Sequence, residues 1–332
     1  MIRVTSLIII FIAVSCGKDS TNKNSHSSPT LLKSFDMDQA FFKAIEKHEY
    51  RSYYDALYRL DSNITLLLFQ NCYQIHASND TAFTNQMNRR FPNAWQPDGR
   101  ELQADIQHVI QRKKIQTELT DAFKKLKTFL PSKPIPSQIL FLYSDFGIFC
   151  FSTEKTVSIG LENFLGDASQ VVKKINLYPW LKKKMKPEFL CPRAIHNWLN
   201  AHYLPEGNEN IASEMIRWGK LLYITSQVLP ETRIGHILAQ NDEDMVWLVL
   251  NEKIIWNYIL DQKLLYDTQE ETTRDLLADA PFSLGKMGVP DRTGQFIGYQ
   301  MVREFMQKNS ITLPELLNTH YLKIVQQYSP PK

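Results

Sequence analysis

The stretch Pro131–Leu161, PSKPIPSQILFLYSDFGIFCFSTEKTVSIGL, divides the chain and decides its fold class. Three prolines within six residues remove backbone donors and fix φ, so a helix arriving from the N-terminal side stops there. Three short runs rich in aromatic and β-branched residues follow: Ile139–Tyr143, Gly147–Ser152 and Thr156–Leu161. Turn residues at Ser144–Gly147 and Thr153–Lys155 separate them. The expectation is a small sheet over residues 137–162, connected as a meander.

On either side the period changes from strand to helix. Residues 34–130 read as mostly helical. Asp36 and Asp38 are expected to cap and charge a helix start ahead of Phe41, Phe42 and Ile45, and Thr65–Ile75 is apolar enough for a buried helix. Leu102, Ile106, Val109 and Ile110, then Phe123, Leu126, Phe129 and Leu130, recur at spacings of three and four. After the sheet, residues 168–328 are helical again, with helices expected over 192–203, 208–229, 242–265 and 293–307, and a further helix start at Thr312-Leu313-Pro314-Glu315. The fold class is α+β, mainly α-helical with a small sheet, in a single body over 34–332.

The N-terminus is an address. Met1-Ile2-Arg3 is a positive start, and Leu7–Val14 is an apolar run of eight residues. That is too short to span a bilayer, which needs roughly 20 residues, and suits the apolar region of an export signal. Ala13-Val14-Ser15-Cys16 then places small residues before a thiol. This is the pattern of a bacterial lipoprotein cleavage box, in which the Cys16 sulfur takes a diacylglycerol and the chain is cut before it. Residues 1–15 are read as signal peptide, and 16–33 as a flexible tether with the composition GKDSTNKNSHSSP over 17–29. The expected partner at this end is the membrane itself, and the expected location is the cell envelope, with the body facing the periplasm.

Composition excludes several classes. Hydrophobic residues make up 43%, enough for a core. Lys plus Arg is 38 and Asp plus Glu 35, too small an excess for a nucleic-acid protein. No cofactor is expected: the chain has no G-x-x-x-x-G-K-[ST] phosphate loop, no G-x-G-x-x-G and no G-x-S-x-G. There is no H-E-x-x-H, and His196 and His202, six apart, fall on different helix faces. Cys72, Cys150 and Cys191 are widely spaced and read as small buried hydrophobes rather than a metal or redox motif. Asp242, Glu243 and Asp244 read as first-turn charges on a helix, and Lys182–Lys186 as an exposed basic face.

Several segments taken in order carry a resemblance. They are Ile159–Gly166 (IGLENFLG), Gly219–Pro230 (GKLLYITSQVLP) and Gly294–Tyr299 (GQFIGY), within a wider likeness over about Tyr50–Leu317. The chain resembles the gliding-motility lipoprotein GldB family of Bacteroidetes, with Glu162 standing where that family commonly has Asp. The resemblance implies a lipid-anchored periplasmic protein that supports gliding and its secretion and motor machinery through protein contacts.

It further implies a zincin-like, inactive metallopeptidase-like architecture. In such a site His196 matches the first histidine, Asn197 stands for the catalytic Glu, Asn200 for the second histidine and Trp218 for the third ligand. A neutral Asn197 is no general base, and one histidine of three ligands does not hold zinc. The expected catalytic and metal sites are therefore none. Two other readings stand beside this one: a hydrolase with a non-standard site on His196, His202 or the acidic cluster, and a substrate-binding lipoprotein with a deep polar pocket.

Overall fold

The computed structural model describes residues 31–92, 97–204, 209–279 and 289–331. The signal peptide, Cys16 and the tether up to residue 30 lie outside the described residues. The described residues are mainly helical (65%) and form one mixed sheet of four strands. These are β1 (Lys33–Asp36), β2 (Gln138–Leu142), β3 (Cys150–Ser152) and β4 (Thr156–Gly160), in the spatial order β1-β2-β4-β3. The described helices of eight residues or more are α1 (Met37–Lys47), α2 (Tyr50–Leu60), α3 (Asp80–Arg90), α4 (Pro97–Val109), α5 (Arg112–Phe129), α6 (Leu190–His202), α7 (Ile211–Val228), α8 (Asp242–Leu250), α9 (Glu252–Asp261), α10 (Glu270–Leu277) and α11 (Thr293–Lys308).

Every residue of β2 and β4 is buried, as an unbroken apolar run such as QILFL requires when helices cover both faces. Their ladder is parallel, Gln138 opposite Thr156 and Leu142 opposite Gly160, and only β3–β4 is antiparallel. The sheet is therefore not the expected meander. The turn at residues 144–147 carries the chain past the place beside β2, so that β3 pairs on the outer side of β4. Asp145 and Phe146 adopt positive φ in that turn.

The turn is held by Glu162, which is fully buried. Its Oε1 accepts from the Ser144 N–H (2.8 Å), the Ser144 hydroxyl (2.5 Å) and the Phe146 N–H (3.0 Å). Burial outweighs these bonds and pushes the carboxyl up to about 7. Between about pH 4.5, the ordinary value, and 7, the folded chain keeps a proton that the unfolded chain has released. This contribution to stability is complete below 4.5 and is lost as pH rises through 7. Glu162→Gln is expected to remove it. In denaturant titrations at pH 5, 6, 7 and 8, the fall in stability with pH becomes shallower than in the parent by up to about 1.4 kcal/mol per pH unit. Parallel curves for the two proteins contradict this.

Other expectations are displaced for identifiable reasons. Lys33, placed in the tether, opens β1, which pairs in parallel with β2. The Asp36 side chain caps no helix; Asp36 and Asp38 both face Arg112, at 3.3 and 2.6 Å. The apolar stretch after Asp61 is a short α-helix that continues as π-helical turns over Leu67–Cys72. The expected helix over 242–265 is split at Asn251 into α8 and α9. The start at Thr312 is as read: its hydroxyl accepts from the Glu315 N–H, the Glu315 carboxylate accepts from the Thr312 N–H, and Pro314 sits in the first turn.

Candidate functional site

α6 carries two faces. Leu190, Ala194, Ile195, Trp198 and Leu199 are buried in the core, where Trp198 packs edge-on to Phe123 and donates its indole N–H to the Pro134 carbonyl (3.2 Å). Tyr203 donates to the same carbonyl (2.6 Å), so the proline-rich break is fastened to this helix. The second face presents Arg193, His196, Asn197 and Asn200, at spacings i, i+3, i+4 and i+7. α7 brings Trp218 to this face, and the residue before α11 brings Arg292. With Phe149 and Cys150 they line a cavity of about 180 Å³. His196, Asn197, Asn200 and Trp218, singled out from the sequence, are thus brought together in one place.

The chemistry of the cavity is set by what each group already holds. Asn197 accepts from the Ser152 hydroxyl (2.6 Å) and donates to the Cys150 carbonyl (3.1 Å), so its amide ties α6 to the edge strand β3. Asn200 accepts from Arg217, whose Nε is paired with Glu214 at 2.9 Å. His196 is buried and its Nε2 has no partner among the described residues. Burial, then the charges of Arg292 and Arg193, push its pKa down to about 3, so the imidazole is neutral at neutral pH.

Arg292 stands at φ +57°, and its Nε donates to Asp279 (2.6 Å) and an Nη to the Leu238 carbonyl (3.1 Å). The Arg292 and Arg193 guanidiniums hold the Asp279 carboxyl far below its usual range against the opposing effect of burial. Arg193 lies over the Phe149 ring at 4.2 Å, and its Nε and Nη2 have no partner. Burial pushes it down to about 10, which leaves it charged at neutral pH. Two guanidiniums beside a neutral imidazole make the cavity positive, an environment that disfavours a divalent cation and favours an anion.

The other candidates fall elsewhere. His202 points away, its Nε2 at 2.9 Å from the Thr153 carbonyl and its ring against Trp198. Asp242, Glu243 and Asp244 form the first turn of α8, where Asn241 accepts from the Asp244 N–H and Asp242 pairs with exposed Arg233. Among the described residues no three His, Cys, Asp or Glu are grouped so as to hold a metal ion. Cys72, Cys150 and Cys191 are free, and burial pushes the first two thiols up to about 11 and 12.

The basic run is not wholly exposed. Lys184 is buried and pairs with Asp291 at 2.7 Å, donating also to the Ala239 carbonyl and to Gln240. A larger cavity of about 460 Å³, bordered by Ile110, Lys114, Glu118, Cys191 and His236, shares no residue with the one on α6.

Arg193 and Arg292 are the residues that sequence reading passes over. Arg193 was within reach, since it lies on the His196 face at three residues' distance. Arg292 is brought in from 96 residues further on by the packing of α11, and no local pattern marks it.

A family model described as gliding motility protein GldB matches residues 18–330. No curated protein and no solved structure matches the chain.

Proposed function

Since the chain belongs to the GldB family of gliding motility lipoproteins, we propose that it acts as a membrane-anchored binding component of the gliding and secretion machinery and not as a hydrolase. Its anchor is a lipid on Cys16, and its body faces the periplasm. No described helix is long and apolar enough to cross a membrane. In this reading the acyl chains on Cys16 hold the protein, each buried CH₂ contributing about 0.8 kcal/mol.

Two features support the non-catalytic reading. The position that stands for a catalytic Glu is Asn197, whose amide oxygen and nitrogen both brace β3. The position of the third ligand is Trp218, an indole that offers no lone pair to a metal. The peptidase-like scaffold is, in this reading, kept for its shape.

The observation that carries the binding role lies on α8 and α9. Val246, Val249, Leu250 and Ile254 are 59, 54, 76 and 65% exposed, an apolar run along consecutive helical turns that the core does not use. Grouped exposed hydrophobics of this kind mark contact surfaces. Leu250→Glu/Ile254→Glu is expected to abolish colony spreading while the protein stays in the membrane fraction and its stability changes by less than about 1 kcal/mol. Cys16→Ala, by contrast, releases the protein into the soluble fraction. Normal spreading by the double variant overturns the assignment of the surface, and unchanged fractionation of the Cys16 variant overturns the anchor.

A further inference from the structure

The cavity on α6 contains an unused pair of donors. The Arg193 Nε–H and the Nη2–H on the same edge form the planar fork by which a guanidinium takes a carboxylate through two parallel bonds. Both atoms are closed to bulk water and have no partner among the described residues, and His196 Nε2, on the same helix face, is in the same condition. The fork is held in place, since the Arg193 guanidinium lies on the Phe149 ring at 4.2 Å.

Charge in the neighbourhood is unbalanced in the same sense. Asp279 is committed to Arg292 at 2.6 Å, and Asp291 to Lys184 at 2.7 Å. Among the described residues, Arg193 is left without an ion pair while Arg292 and Lys184 each have one. No acidic side chain among the described residues lines the cavity. Asn200, one of its lining residues, is exposed.

A buried, hydrogen-bond-deficient cation is costly, and an anion that supplies both charge and acceptors offsets that cost. One guanidinium without an ion pair matches a monoanion. The side-on fork matches planar oxygens, and the neutral imidazole adds a third donor when its proton is on Nε2. The fork also accepts a tetrahedral oxyanion, so it is charge that separates the two: a dianion brings one negative charge more than the unpaired guanidinium balances.

We infer that this cavity is a receptor for a carboxylate, held bidentately by the Arg193 edge with Arg292 and His196 beside it. The site is independent of the apolar run on α8 and α9, and its test does not involve motility. The carboxylate is either a chain end or a free small acid, and the probes separate these sources.

The full-length protein in detergent is titrated calorimetrically, with the Arg193 Nε–H followed by NMR. The probes are acetate, acetyl-Gly-Ala with a free C-terminus, the same peptide amidated, and inorganic phosphate. The free-acid peptide and acetate are expected to bind saturably and to shift the Arg193 Nε–H signal. The amide and phosphate should bind at least about tenfold more weakly. A peptide tighter than acetate by about tenfold or more assigns the site to chain ends, and equal affinities assign it to free small acids.

Arg193→Lys keeps the charge but loses the fork, and should weaken carboxylate binding about tenfold with an unchanged melting temperature. Arg193→Gln should abolish it. The inference is overturned if no carboxylate probe binds saturably, if the amide or phosphate binds as tightly as the acid, or if the folded Lys variant binds as the parent does.

Discussion

Gly298→Ala is expected to destabilise the protein by about 3 kcal/mol, at the upper end of what a single overpacked site costs. α7 and α11 approach each other backbone to backbone. A Cβ at Gly298 would lie 1.9 Å from the Met215 carbonyl oxygen, and one at Gly219 would lie 2.1 Å from the Gly298 carbonyl oxygen. No rotamer change relieves a clash with main chain. The two helices must separate, and the seam that closes around Met215, Leu222, Phe296, Ile297 and Met301, all buried, opens with them. Gly219→Ala acts on the same seam, so the double variant should lose clearly less than the sum of the single losses. Denaturant unfolding of the three variants decides the matter: strictly additive losses, or a loss at Gly298 below about 1 kcal/mol, contradict the close approach. Because Trp218 sits on α7 and Arg292 adjoins α11, the same variants should also weaken carboxylate binding at the α6 cavity.

Asp291→Ala should be of comparable size, about 3–5 kcal/mol, the usual cost of removing one partner of a buried ion pair. Lys184 retains its bonds to Ala239 and Gln240 but loses its counter-charge in a place closed to water. Burial already pushes the Lys184 amine down, and Asp291 opposes that shift. The sign of the pH effect follows. Without Asp291 the amine falls further below its unfolded value, so the folded variant gains relative stability as pH rises and the unfolded chain no longer holds the extra proton. The deficit of Asp291→Ala is therefore largest at neutral pH and smaller at pH 10, as read by denaturant titration at both. Lys184→Met/Asp291→Leu, which removes both charges, should recover most of the loss. A double variant as unstable as Asp291→Ala would argue against uncompensated charge as the cause.

Legibility in the sequence followed the range of the interactions. β2 and β4 are legible to within a residue or so, because β2 is almost wholly apolar and β4, TVSIG, is rich in β-branched residues, each bounded by turn residues. β1 was missed because KSFD has no such run; it is a strand only because β2 offers it an edge. The order of the strands was read wrongly for a related reason: whether β3 lies beside β2 or beyond β4 depends on the Glu162 anchor of the turn, a contact across 16 to 18 residues. Lys184 looked like one more lysine in an exposed run, since its partner is 107 residues away.

At the candidate site, His196, Asn197, Asn200 and Trp218 were reached through family resemblance and converge on one cavity. Arg193 shares their helix face and was open to the same periodic reading. Arg292 was not, because its place depends on the Gly219–Gly298 crossing.

β1 also has a mechanical consequence. The chain leaves residue 30 and enters the body through the first strand of the sheet, so any tension arriving along the chain from the N-terminal side is borne there first. What resists it is local: the parallel ladder to β2, the bonds of Leu32 to Thr120 and Gln116, and the Arg112 contacts of Asp36 and Asp38. The core lies behind this fastening. A pull that strips the strand acts on these hydrogen bonds and ion pairs before it reaches the helices that carry the cavity and the exposed apolar run.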